Sequence, residues 1–356
     1  MKKIGIMTMH RVINYGSFLQ AFGLKQILEE LGYEVQLVDY NIEPPIIKTK
    51  KKNLLQRIIK NINILGYIKK KNVLNKFKRE YNHKYLKLLN INKYNYNPNI
   101  DTLIIGSDEV FNCLQDYPIG YSKELFGKNY EKINVMSYAA SFGHTTLEEL
   151  KKYKIDREIG KMLCKFKDVS VRDKNSYDIV KKISTNSPVI NLDPVLISSF
   201  HKYETNNVKL KNYIIVYAYP GRLTKDEEKY IKSFAKKNKK KIVCLGMYQK
   251  IADYNLVVSP FEVLEYFKKA DYIITDTFHG TIFSIINHSK YCTIIRESNK
   301  NKLEDLLERL EQGNRKVQEL EEIEILYNKE IDFEQTNKII ANERKRTIEY
   351  LKNNLK

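Results

Sequence analysis

The side chains of this sequence best suited to chemistry gather where short apolar runs end. In "DYIITDTFHGTIFSIINH" (271–288) an apolar run closes on Asp276 and Thr277, and the next opens with His279 and Gly280. Histidine exchanges protons near neutral pH, and a turn after a strand puts it within reach of a ligand. Gly280 frees the backbone for close approach. The plainer role for such a histidine is packing. "SVRDKNSYDIV" ends another run on Arg172, a permanently charged fork of donors that matches a carboxylate or phosphate. Its plainer use is an ion pair with an acid such as Asp173.

Three more run ends repeat the pattern. "HRVINYGS" offers Asn14, Tyr15 and Gly16; "IIGSDEVFN" offers Gly106, Ser107, Asp108 and Asn112; "YAASFGH" offers Ser141, Phe142 and Gly143. A Ser or Asp in such a turn is often only a helix cap, so the set carries the weight. Together the turns suggest proton transfer by His279, with anions held by Arg172 and by helix N-termini. The first turn is not GxGxxG, so a dinucleotide fingerprint is absent. There is no HExxH and no paired-Asp metal motif. Cys113, Cys164, Cys244 and Cys292 lie far apart, without a CxxC, which suits a reduced cytoplasm and neither zinc nor a disulfide framework. Neither metal nor cofactor is expected.

The elements that must position these residues alternate. "KKIGIMTM", "FLQAFGLKQILEELG" and "YEVQLVDY" read as strand, amphipathic helix and strand, a β-α-β unit. Strands follow at 101–106, 133–141 and 168–173. A second set begins at "YIIVYAYPG" (213–221), and Ser259 with Glu262 forms a capping box before the helix that precedes "DYIITD". With 356 residues, two domains are expected: 1–200, 201–333, and a helix over 334–356 packing back on the first. The fold class is α/β, two Rossmann-like domains facing across a cleft at the C-terminal ends of their strands. No stretch approaches the ~18 apolar residues of a bilayer span.

The net charge of +19 is local: residues 46–100 hold 15 Lys/Arg against one acid, Glu80. A nucleic-acid grip would need basic residues along a whole binding face, so no nucleic acid is expected. "NLLQRIIKNINILGYIKKK" spaces Leu54, Leu55, Ile58, Ile59 and Ile62 as a helix among cations. It reads as a basic helical insertion packed on the first domain, or as a basic amphipathic surface for anionic lipid.

The stretches "IGIMTMHRVINYGSFLQAFGLKQILEELGYEVQLVDY", "LIIGSDEVFN", "YAASFG", "SVRDKNS", "LDPVLI" and "SPFEVLEYFKKADYIITDTFHGTIFSI", in this order, resemble the polysaccharide pyruvyl transferase family. The resemblance covers residue 1 to about 312. It implies a fold similar to type B glycosyltransferases. It also implies transfer of a pyruvyl group from phosphoenolpyruvate, a substrate and not a cofactor, to a sugar of a surface polysaccharide, with ketal formation and phosphate release. The family's His-Gly falls on His279 and Gly280, its strand-end arginine on Arg172, its first loop on Asn14, Tyr15 and Gly16, and its Gly-Ser-Asp on Gly106, Ser107 and Asp108. Many members carry arginine where Thr277 stands, so the charge for the donor falls to Arg172, Lys300 or Lys302. Asp108 or Asp276 would assist His279. The glycan acceptor, if lipid-linked, would bring a cytoplasmic enzyme to the inner membrane face. Two rival readings are a glycosyltransferase using a nucleotide-sugar and a non-catalytic glycan- or nucleic-acid-binding protein.

Overall fold

The computed structural model describes residues 1–47, 64–115 and 121–356. Two six-stranded, all-parallel sheets form its frame. The first has the order β2-β1-β3-β4-β5-β6, from β1 (Lys3–Met7), β2 (Glu34–Val38), β3 (Thr102–Asp108), β4 (Asn134–Ala140), β5 (Ser170–Val171) and β6 (Val189–Ile190). The second has the order β12-β11-β10-β7-β8-β9, from β7 (Tyr213–Tyr217), β8 (Lys241–Leu245), β9 (Tyr254–Leu256), β10 (Tyr272–Thr275), β11 (Tyr291–Ile294) and β12 (Lys316–Val317). Strand order reverses between β1 and β3 and again between β7 and β10. Open parallel sheets bind ligands at such reversals, because the loops there part and leave a crevice.

The helix Tyr15–Glu30 is buried from Tyr15 through Leu28. Amphipathicity was the expectation, and the structure corrects it. This helix lies between the two halves of the molecule, so it needs an apolar surface all round. Phe22 meets Phe261 of the C-terminal half at 5.1 Å between ring centroids, and one continuous apolar core runs from Ile4 and Phe18 to Tyr217, Phe267 and Phe283. The helix begins at Tyr15, so Tyr15, Gly16 and Ser17 form its first turn, capped by the Asn14 side chain, which accepts from Gly16 N at 2.7 Å.

Of the basic insertion, the helix Ile64–Glu80 and its continuation through a π-helical turn, Tyr81–Tyr85, and a last α-helical turn, Leu86–Leu88, are described. The apolar positions Leu54, Leu55, Ile58, Ile59 and Ile62 lie outside the described residues. Phe77, Tyr81, Tyr85 and Leu86 enter the core, and the Tyr81 and Tyr85 hydroxyls donate to His10 O and Val258 O. The opposite side is exposed and carries Lys69, Lys70, Lys71, Lys76 and Lys78 beside Tyr67, Ile68 and Leu74. No described helix is long and apolar enough to cross a membrane.

The last helix, Glu334–Asn354, touches both halves. Near its start the Thr336 hydroxyl donates to Leu310 O; near its end Tyr350 donates to Ser137 O and Thr347 meets Tyr138.

Candidate active site

A cleft of about 510 Å³ opens where the two strand-order reversals face each other. It is bordered by Met9, Val12, Ile13, Asn14 and Ser17 after β1, Asp108 at the end of β3 and Glu109 after it, His144, Arg172 after β5, Tyr219 and Arg222 after β7, Thr277 to His279 after β10, and Ser298, Asn299 and Lys302 after β11. Three helices begin here, at Tyr15, Phe278 and Lys300. Their unpaired first-turn N–H groups give the cleft positive partial charge.

His279 lies on the first turn of the helix Phe278–Ile286, not in the loop before it. Thr277 is the N-cap, its hydroxyl accepting from Gly280 N at 2.9 Å. Gly280 is helical and packs so tightly that a Cβ would stand 2.2 Å from Thr275 Oγ1. Its use is therefore close packing, not approach by a ligand. The His279 ring lies against Gly16: a Cβ there would be 2.2 Å from both Cγ and Nδ1 of the imidazole. The glycine expected to admit a ligand admits the histidine.

His279 is only 8% exposed, and its Nε2 has no hydrogen-bond partner among the described residues. The nearest acid is Asp193, with Oδ2 at 3.6 Å. Asp193 caps the short helix Pro194–Ile197 and also accepts from Arg172 Nη1 at 2.9 Å. Burial alone would raise its pKa, but His279 and Arg172 outweigh burial and hold it at about 2. The Arg172 guanidinium reaches Asp108 Oδ1 as well, at 3.4 Å from Nη2, and lies 4.2 Å over the Phe278 ring. Its Nε is buried without a hydrogen-bond partner among the described residues. Asp108, at φ +78, also accepts from the Ser17 hydroxyl at 3.2 Å.

The structure therefore brings together His279, Arg172, Asp108, Asn14 and Thr277 on the cleft wall and adds Asp193, which the turn motifs did not single out. "LDPV" held a signal for it, since Asp before Pro marks a helix start. Glu109, Tyr219, Arg222 and His144 were also missed: each stands at or beside a run end that was read, but no local pattern separates such a residue from an ordinary turn residue.

Several expected ligand residues do structural work instead. Tyr15 is buried, its hydroxyl donating to Val258 O at 2.8 Å. Gly106 has φ +121, and a Cβ would stand 2.2 Å from Tyr138 O. Ser107 donates to Ala139 O and Ser141 to Asp173. Asn112 accepts from Thr145 and donates to Glu109; Gly143 packs against both Glu109 and Asn112; Phe142 is in the core. Asp276 lies fully buried behind the wall, held by Arg296 Nε at 3.3 Å and Tyr219 N at 3.4 Å. Burial keeps its pKa above the usual value despite Arg222 and Arg296 nearby. Lys302 lines the cleft but is ion-paired with Glu109. Lys300 is exposed and does not line it. Among the described residues no group of three or more His, Cys, Asp or Glu could hold a metal ion.

A family model for polysaccharide pyruvyl transferase matches residues 14–288. The chain belongs to that family. It is accordingly a transferase, and the match spans the turns that carry Asn14, Asp108, Arg172, Asp193 and His279. No curated protein matches the chain. Among solved structures, the glycotransferase of kitacinnamycin aligns at TM-score 0.52 with 10% identity, covering 100% of this chain and 99% of that one. The Methanocaldococcus jannaschii UDP-GlcNAc 2-epimerase, in complex with UDP-GlcNAc and UDP, aligns at 0.48 with 14% identity, covering 98% of this chain and 100% of that one. The S. aureus MnaA–UDP structure also aligns at 0.48, with 12% identity and coverages of 98% and 97%. The first of these likenesses shows a fold shared between this family member and a glycosyltransferase, the type B arrangement of two facing sheets.

Proposed function

We propose that this protein transfers the pyruvyl group of phosphoenolpyruvate to a sugar of a bacterial surface polysaccharide or its lipid-linked precursor, forming a cyclic ketal and releasing phosphate. The observation that carries the reading is the juxtaposition of His279 and Arg172 in one cleft between the two halves, with Asp193 buried behind them and in range of both. Protonation of the donor's methylene carbon converts it to a methyl group and leaves the central carbon electrophilic. The first sugar hydroxyl forms a C–O bond there and gives up its proton; the second hydroxyl adds as the bond to the phosphate oxygen breaks, and its proton leaves with phosphate. His279 gives the proton to the methylene and recovers one from the first hydroxyl. Asp193 and Arg172 fix the ring and the cleft wall, and the helix N-termini stabilise the negative charge of the donor. Phosphate release from phosphoenolpyruvate across a panel of sugar acceptors tests the reading. Wild type should release phosphate with at least one acceptor, and His279→Gln should lose roughly 10²–10⁴-fold in rate while keeping its fold by circular dichroism. Turnover of a nucleotide-sugar in place of phosphoenolpyruvate would overturn it.

The insertion fits the same reading. Its exposed lysines, interleaved with Tyr67, Ile68 and Leu74, form a surface suited to an anionic membrane carrying a lipid-linked acceptor.

A further inference from the structure

Among the described residues, the Lys and Arg side chains that line the cleft or stand directly behind it are matched to acids, except Arg222. Arg172 is shared between Asp108 and Asp193, Lys302 is paired with Glu109, and Arg296 is paired with Glu227 and Asp276. Two carboxylates against one guanidinium leave the Arg172 cluster with surplus negative charge, a poor receptor for a phosphate dianion by itself. Arg222 lines the same cleft and has no carboxylate within ion-pair range among the described residues. It is half-buried, so its charge is partly withdrawn from water; Asp276 attracts it through space, beyond ion-pair range, and no described acid is bonded to it.

The chain holds Arg222 ready. Tyr219, Pro220, Gly221 and Arg222 make a turn closed by Arg222 N donating to Tyr219 O at 3.1 Å. Proline second and glycine third, the latter at φ +83, is the pattern of a type II turn. The guanidinium lies 4.6 Å over the Tyr219 ring, a floor that restricts its rotamers and leaves its N–H edge to a ligand. Tyr219 is itself fixed on two sides, its N–H to Asp276 and its hydroxyl accepting from Asn14 Nδ2 at 3.1 Å across the cleft. An unpaired, half-buried, pre-positioned guanidinium in a ligand cleft is what recognition of a phosphoryl oxygen requires.

We propose that Arg222 binds the phosphate group of the donor, so that donor affinity and specificity for a phosphorylated ligand depend on it. The identity of that donor rests on the function proposed above. The test compares wild type, Arg222→Gln and Arg222→Lys by thermal shift, titrating phosphoenolpyruvate, inorganic phosphate, pyruvate and UDP. Phosphoenolpyruvate and inorganic phosphate should stabilise wild type, with apparent affinity falling roughly 10- to 100-fold in Arg222→Gln and less in Arg222→Lys. Pyruvate, which has no phosphate, should respond alike in all three. The unliganded melting temperature should barely move, since no polar partner of the Arg222 side chain is removed. Equal phosphoenolpyruvate and phosphate affinity in wild type and Arg222→Gln would overturn the Arg222 assignment and leave the donor reading standing. Arg222-dependent stabilisation by UDP without any by phosphoenolpyruvate would uphold Arg222 and overturn the donor. A wild type stabilised by no phosphate-bearing ligand would overturn both.

Discussion

His279 Nε2 and Asp193 Oδ2 lie 3.6 Å apart although they come from opposite halves of the molecule. The imidazole arrives on the first turn after β10, and the carboxylate caps the helix that follows β6. Against burial, His279 first and then Arg172, whose Nη1 is 2.9 Å from the same oxygen, keep Asp193 ionised, with its pKa at about 2. The stability it contributes is therefore present above the ordinary carboxylate pKa of 3.8 and is lost as pH falls through about 2. Asp193→Asn retains a cap for Val195 but removes the 2.9 Å charge-assisted bond and leaves Arg172 with only its longer contact to Asp108, at an expected cost on the order of 2 kcal/mol. Assayed below its melting temperature, the variant should show kcat lowered more than tenfold with a smaller change in the KM for donor. An unchanged kcat would remove Asp193 from the site.

Gly16 gives a second test, of the position of the His279 ring. Alanine suits a helix better than glycine by about 1 kcal/mol, yet its Cβ would occupy the space of the His279 ring, 2.2 Å from Cγ and Nδ1. Gly16→Ala should still fold, at a cost of about 1–3 kcal/mol from overpacking, and, assayed below its melting temperature, should lose roughly 100-fold in phosphate release, as the imidazole is pushed from its seat. Activity near that of wild type would mean that the position of His279 does not matter.

These two positions also show what the sequence could carry. Parallel strands of four to seven residues with apolar runs were readable, as were the Ser259–Glu262 capping box and the turns that end in Asp108, Arg172 and His279. β6, β9 and β12 were not, since two or three residues at a sheet edge show no period. Helix starts at Tyr15 and Phe278 were read too late, because capping by Asn14 and Thr277 draws in residues that look like loop. The apposition of Asp193 with His279 and of Gly16 with His279 depends on how the halves dock. No local spacing encodes a contact between residues 86 or 263 positions apart.

Asp305 should make the seam between the halves pH-sensitive. It sits half-buried on the helix Lys300–Arg309; burial, opposed by Arg309 and reinforced by Asp173, pushes its pKa from 3.8 to about 6. The folded protein thus keeps a proton that the unfolded chain has released. That contribution is full below pH 3.8 and is lost as pH rises through about 6. Asp305→Asn, neutral at every pH, should raise the melting temperature at pH 7.5 by roughly 2 °C, on the order of 1 kcal/mol after solvent screening, and by less at pH 5. A gain of the same size at both pH values would show that Asp305 does not titrate in this range.

The insertion supplies the last prediction. Lys69, Lys70 and Lys71 are exposed beside Tyr67 and Ile68, which are 56% and 46% exposed. Each lysine near an anionic surface contributes about 1 kcal/mol, and the attraction falls off within a Debye length. The protein should sediment with vesicles rich in phosphatidylserine, release in high salt, and sediment poorly with pure phosphatidylcholine. Replacing the three lysines by glutamate reverses the local charge without touching Phe77, Tyr81 or Tyr85, the side chains that anchor the segment in the core. It should therefore abolish vesicle binding while phosphate release with a soluble acceptor stays at the wild-type level. Equal sedimentation with neutral and anionic vesicles would show that the charge has no role in docking.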